Sequence, residues 1–178
     1  GKREQNQAFA PHAYDFMVDT ELYKYASNER VGGMFAQHKK SQDRLHMPVI
    51  VGEWGGGGEG EGWLPHVSFL LDMFDSNKWS NTYWCYTDGW LKTPLMKIFS
   101  RPYPKATPGV IEAYHCDEDK KAFTLVFESE CGGEAVICVP REITSITVDG
   151  AKAEYSKENS DVTVKVSGGR HTVEVRFN

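Results

Sequence analysis

The stretch Pro48-Val49-Ile50-Val51-Gly52-Glu53-Trp54-Gly55 ends an unbroken apolar run in a single carboxylate. A run of that kind reads as a parallel strand buried on both faces. Pro48 suits the first position of such a strand and no later one, and Gly52 and Gly55 let the backbone turn where the strand stops. Glu53 therefore projects from the carboxyl end of a strand, the end at which barrels and open parallel sheets do their chemistry. A carboxylate at that place also serves simply to cap the next helix, and this stretch alone supports both roles.

Other residues narrow the chemistry. His12-Ala13-Tyr14 follows a short aromatic segment, Ala8 to Phe16, and would send two polar tips to one side, since alternate strand residues share a face. Trp54, Trp63, Trp79, Trp84 and Trp90, all the tryptophans of the chain, lie between the Glu53 strand and the loop after the next aromatic strand. Indole rings beside a strand-end carboxylate suit a sugar, which stacks its C–H faces on them and bonds its hydroxyls to polar groups. Filling a core is the plainer role, and it fits Trp79, at the end of a helical stripe; Trp84 and Trp90 fit a ligand site. A glycosidase needs two carboxyl groups across the scissile bond. Glu53 suits one of them. Glu59 and Glu61 sit in a glycine-flanked loop too loose to hold a catalytic group. Asp15 and Asp88 follow strand ends, where each serves equally as a cap, and spacing does not identify the second carboxyl.

The elements that must position these residues alternate. Glu29 to Leu45 has Val31, Met34, Phe35 and Leu45 near helical spacing, weakened by Gly32-Gly33. After the Glu53 strand comes a loop of six glycines and two glutamates, Gly55 to Gly62, without the ending of a phosphate loop. Pro65 then opens a helix with Val67, Leu70, Leu71 and Phe74 on one stripe, ending near Asn77. Asn81 to Trp90 supplies another strand and its exit loop. Strand, helix, strand, helix, strand implies parallel strands with crossover helices. Beyond Arg101-Pro102-Tyr103-Pro104 short strands dominate: 110–115, 122–127, 135–139, 145–148, 153–156, 162–166 and 172–177. Asp149-Gly150 and Gly168-Gly169 read as hairpin turns between them. This half is a small antiparallel β-sandwich. The expected domains are 1–105 and 106–178.

Composition bounds the rest. The chain has 178 residues, 40% of them hydrophobic and 12% aromatic, enough to bury a core. A net charge of −5 without a basic cluster argues against nucleic acid as a partner. No apolar run has the length of an integral membrane segment. Cys85, Cys116, Cys131 and Cys138 show neither Cys-x-x-Cys spacing nor a nearby histidine pair, against a zinc site. They read as buried free thiols, with a disulfide among the last three as the alternative.

In chain order, His12-Ala13-Tyr14, then Gly52-Glu53-Trp54-Gly55, then Tyr83-Trp84 and the Arg101-Pro102-Tyr103-Pro104 junction resemble the last barrel strands of retaining glycoside hydrolases of family 5. The junction followed by a sandwich is most similar to the endoglycoceramidase branch. The likeness covers about residues 9 to 110 by motif and the remainder by architecture. It implies an α/β plus all-β protein: the last strands of a (β/α)8 TIM barrel, then a C-terminal antiparallel β-sandwich. It implies a retaining glycosidase with no cofactor, acting on a glycan or glycolipid outside the cell or in its envelope. Glu53 would be the nucleophile, Tyr14 its hydrogen-bonding partner, His12 a lining residue, and Trp84 a platform under the sugar. The family's acid/base glutamate follows an asparagine at the fourth barrel strand. Asn28-Glu29 comes after the His-x-Tyr strand, so the order is wrong. A family barrel has eight strands, against about three here. The expectation is the carboxyl-terminal part of a longer enzyme, partnered by its missing amino-terminal part and inactive alone. The alternative is a carbohydrate- or lipid-binding sandwich without catalysis, disfavoured because Phe123, Phe127 and Phe177 fall in core register.

Overall fold

The computed structural model of the protein describes residues 6–57 and 60–178. Two compact units divide between Ile98 and Phe99. The division falls ahead of the boundary expected after residue 105, because Tyr103–Ala106 is already a strand of the second unit.

In the first unit β1 (His12–Ala13), β2 (Ile50–Trp54) and β3 (Ser80–Tyr83) form a parallel sheet in the order β1-β2-β3. Two helices, α1 (Asn28–Leu45) and α2 (Leu64–Asn77), make the crossovers. Ser27 caps α1 by accepting the Arg30 N–H at 3.1 Å. Gly32-Gly33 does not interrupt α1. A Cβ at Gly32 would meet Phe69 of α2 at 3.6 Å, ordinary contact distance. Val31 and Phe35 are buried, while Met34 is exposed and lies off the packed stripe. Pro65 stands in the first turn of α2, and Val67, Leu70, Leu71 and Phe74 are buried. Trp79 is core, as its place after the stripe predicts, and its indole N–H donates to Gln42 Oε1 at 2.9 Å.

The two-sided burial expected of β2 holds on one side only. Val51 and Trp54 are fully buried, with Trp54 edge-on to Phe74 at 4.9 Å, but Ile50 is 43% exposed. The helices cover one face, and Ile50 alternates to the other.

In the second unit one sheet has the order β10-β11-β7-β4 and the other β5-β6-β12-β8-β9. The strands are β4 (Tyr103–Ala106), β5 (Val110–Asp117), β6 (Ala122–Ser129), β7 (Gly133–Cys138), β8 (Ile143–Val148), β9 (Ala151–Lys152), β10 (Tyr155–Glu158), β11 (Asp161–Val166) and β12 (Gly169–Phe177). All pairings are antiparallel. Alternation does what it predicts: Val162, Val164, Val173 and Val175 enter a core with Phe123, Leu125, Phe127 and Ile137. Asp149-Gly150 is a hairpin turn with φ of 53° and 80°, which joins β8 to β9. Gly168-Gly169 is not a hairpin turn, because β11 and β12 belong to different sheets and the glycines carry the chain across. The strand expected at 153–156 is likewise split: β9 pairs with β8 and β10 with β11, so the chain changes sheets between them. All four cysteines are free. Cys116 is buried as expected, but Cys85 and Cys131 are exposed, and the disulfide alternative is not realised.

Candidate active site

Glu53 is aimed by an irregularity in its own strand. Pairing of β2 with β3 shifts register between Val51 and Trp54. Such a bulge changes which face the following side chains meet. Trp54 drops under the helices with its neighbour Ala13, and Glu53 comes to the open side with its register partner His12. The Glu53 side chain is 37% exposed.

Two groups converge on one of its oxygens. The Tyr14 hydroxyl donates to Glu53 Oε2 at 3.3 Å, and His12 Nδ1 lies 3.6 Å from the same oxygen. The Tyr14 phenol is pushed up to about 12 by burial, then by the charge of Glu53 and the bond to it. It therefore stays protonated, and a donor, through ordinary pH.

Beyond Glu53 the chain is shaped by close backbone approach. A Cβ at Gly55 would lie 2.4 Å from the Trp84 carbonyl oxygen, so only glycine lets the ends of β2 and β3 meet. Trp84 N–H donates to the Trp54 carbonyl at 2.8 Å, and the Trp84–Cys85 peptide is cis. Tyr83 donates its hydroxyl to the Gly56 carbonyl at 2.8 Å. Trp84 is left 62% exposed.

Tyr14, Glu53 and Trp84 share the wall of a cavity of about 920 Å³ with Gly56, Gly57 and the loop residues 18–22 and Lys24. His12 touches Glu53 without lining that cavity. Trp90 also lies outside its lining, with its ring 5.5 Å from Tyr83 and 5.9 Å from Tyr86. Trp90 thus packs against the rings of Tyr83, a residue of β3, and Tyr86.

The other carboxylates separate cleanly. Asp15 is fully buried and accepts from Met17 N–H, Ser27 N–H and the Arg30 guanidinium at 2.7–3.0 Å. Burial alone would raise it, but the bonds from Arg30, Ser27 and Met17 outweigh that and hold it below the ordinary 3.8. Asp15 is a structural anion. Asp88 and Glu61 are exposed and outside the cavity lining, and Glu59 lies outside the described residues. Asp19 and Glu21 do line the cavity. Sequence reasoning missed them because their loop has no periodicity or motif. Among the described residues no group of three histidines, cysteines or carboxylates could hold a metal ion, and no helix is long and apolar enough to cross a membrane.

Comparison with known families assigns both halves. Residues 2–89 match the model of cellulase (glycosyl hydrolase family 5), and residues 101–176 match that of the glycoside hydrolase family 5 C-terminal domain. Both units belong to glycoside hydrolase family 5. Solved structures agree at the level of fold. Endo-glycoceramidase II from Rhodococcus sp., in a cellobiose-like imidazole complex, matches with a TM-score of 0.79 at 20% identity, over 99% of this chain and 44% of that one. An endogalactoceramidase matches with a TM-score of 0.70 at 15% identity, over 94% of this chain and 41% of that one. Sterylglucosidase 1 of Cryptococcus neoformans matches with 0.63 at 15%, over 87% and 33%. The chain thus spans less than half the length of these structures. No curated protein matches it significantly.

Proposed function

We propose that this chain supplies the nucleophile half of a retaining β-glycosidase, endoglycoceramidase-like, which hydrolyses a β-glucosidic bond of a glycolipid or related glycoside. The observation that carries the reading is the convergence of Tyr14 and His12 on Glu53 Oε2 at a cavity that Trp84 also lines. In this reading Tyr14 holds Oε2, and Oε1 attacks the anomeric carbon. The C–O bond to the aglycone breaks as the leaving oxygen takes a proton from a second carboxyl group. A covalent glycosyl-enzyme forms with inversion; water, giving a proton back to that second carboxyl group, then displaces the Glu53 carboxylate with a second inversion. Trp84 is the platform under the sugar.

The acid/base stands about 5 Å from the nucleophile in retaining enzymes. We assign it to sequence outside this chain, as its 44% coverage of Endo-glycoceramidase II supports. The three parallel strands are then the last of a (β/α)8 barrel, completed by the preceding part of the enzyme. Structures of Endo-glycoceramidase II are described as a lactosyl-enzyme intermediate and a ganglioside GM3 complex, which supports both the covalent step and the glycolipid class. We also propose, from the family resemblance alone, that the enzyme works outside the cell or in its envelope. The sandwich is a companion of the barrel: Phe123, Phe127 and Phe177 are buried in its core and offer no face to a sugar.

The test is labelling of the complete enzyme with a 2-deoxy-2-fluoro β-glucoside that carries a good leaving group. Peptide mapping should find the sugar on Glu53. A label on Asp88, Glu61 or Glu21 instead overturns the assignment.

A further inference from the structure

Residues 18–24 form much of the cavity wall, yet the segment between β1 and α1 pairs with no strand of the sheet. Two attachments hold it. At its base, Asp15 gathers Met17 N–H, Ser27 N–H and Arg30, which draws the two ends of the segment together. Near its far end, Tyr23 is buried and donates its hydroxyl to the Gly55 carbonyl at 2.6 Å. Gly55 is the second residue after Glu53.

The fit around Tyr23 is close. A Cβ on Gly56 would come 2.1 Å from the Tyr23 ring, so glycine there makes the slot in which the ring lies. His66 closes the back of the slot, edge-on at 5.8 Å, with its Nδ1 2.6 Å from Asn28 Oδ1. Burial pushes the Tyr23 phenol up, so its hydroxyl remains a donor.

We propose that Tyr23 is a positioning residue of this site: its hydroxyl ties the wall formed by residues 18–24 to the exit of the Glu53 strand, so that wall and nucleophile meet the sugar as one preorganised unit. The inference rests on Glu53 being the nucleophile. The wall carries Asp19, Glu21 and Lys24, polar groups suited to sugar hydroxyls. Without the tie, each substrate would have to order the wall as it bound and register it against Glu53, and small displacements there are costly in rate. The ring fills the slot with or without its oxygen, so positioning can be separated from packing.

The experiment compares the parent complete enzyme, Tyr23→Phe and Tyr23→Leu in the rate of covalent labelling by the fluoro-glucoside, followed by intact mass. The first-order constant at saturating reagent is read because it does not depend on the fraction of folded protein. Tyr23→Phe keeps the ring and should melt close to the parent, yet label Glu53 roughly tenfold more slowly. Labelling of Tyr23→Phe at the parent rate, with slowing confined to Tyr23→Leu, makes Tyr23 a packing residue and overturns the proposal. If Tyr23→Phe yields no folded enzyme, Arg30→Lys decides, since it loosens the base of the same wall: slowed labelling supports the proposal and a parental rate overturns it. A parent that is not labelled at Glu53 refutes the nucleophile assignment itself, a different failure from normal labelling of Tyr23→Phe.

Discussion

The hydroxyl of Tyr14 reaches the carboxylate of Glu53 from just past the end of the neighbouring strand, 3.3 Å from Oε2, and His12, two residues before it, approaches the same oxygen. A parallel pairing that sets His12 opposite Glu53 produces this arrangement directly, because it puts both side chains on one face. Removing the hydroxyl takes away a hydrogen bond to a charged group. Tyr14→Phe in the complete enzyme should lower kcat roughly 10- to 100-fold with little loss of stability. The phenol titrates near pH 12, so the parent should show no loss of activity attributable to Tyr14 below about pH 11. A kcat for Tyr14→Phe equal to the parent's would leave Glu53 oriented by other means.

Glu53→Gln should abolish the covalent intermediate while leaving the fold intact, since the side chain is part-exposed and is not in the core. Circular dichroism and melting should match the parent, with no label in the intact mass. Residual turnover comparable to the parent would assign the nucleophile elsewhere.

How much of this was legible beforehand follows from which interactions are local. The helices and the sandwich strands are written in periodicities of burial, so Val67 to Phe74 and Val162 to Val166 could be read directly. The Glu53 strand reads as buried on both faces because three apolar residues in a row look alike, whichever face they serve; Ile50, 43% exposed, leaves one of those faces uncovered. Trp84 and Trp90 read alike in sequence, but side chains six residues apart across an irregular loop need not line one cavity, and only Trp84 lines this one. The wall of residues 18–24 was invisible for a different reason. Its order comes from Asp15 and Arg30, which close its base across an irregular loop, and from Gly55, remote in sequence, and no periodicity announces such partners.

The anchor of that wall should matter to stability. Asp15 is fully buried, and Asp15→Ala takes the acceptor from two backbone N–H groups and from the Arg30 guanidinium, whose side chain is 36% exposed and can turn to water, a loss of about 2 kcal/mol. The folded carboxyl is held below its ordinary 3.8, so its contribution is complete above that value and is lost as pH falls through the lower folded value. Acid unfolding of the parent should therefore contain a step below about pH 4 that Asp15→Asn lacks. Identical acid transitions in the two would remove Asp15 from the account.

Trp84 is largely exposed at the cavity, so Trp84→Ala should leave the melting temperature nearly unchanged and weaken glycoside binding roughly tenfold. The comparison that gives this meaning is Trp90→Phe, which keeps an aromatic ring beside Tyr83 and should bind glycoside like the parent. Equal loss in both would return Trp90 to the ligand site.

In the sandwich, His171 has an oxygen acceptor at each ring nitrogen: Asp149 Oδ2 lies 2.8 Å from Nδ1, and the Ser167 carbonyl lies 3.0 Å from Nε2. Only the doubly protonated ring can donate to both, and the bond to Asp149 raises His171 above 6.5, with burial opposing and Ser167 and Glu128 adding to the rise. Asp149 is correspondingly lowered, first by the Thr172 N–H and then by His171. For a raised group the sign is fixed: the stabilisation is complete below the unfolded value of 6.5 and is lost as pH rises through the higher folded value. Melting of the chain should therefore show the second unit losing stability as pH is raised from about 6.5. His171→Gln should be less stable than the parent at pH 6 and should flatten this dependence, which pH-dependent melting of the two proteins checks. A slope that survives His171→Gln unchanged would place the titrating group elsewhere.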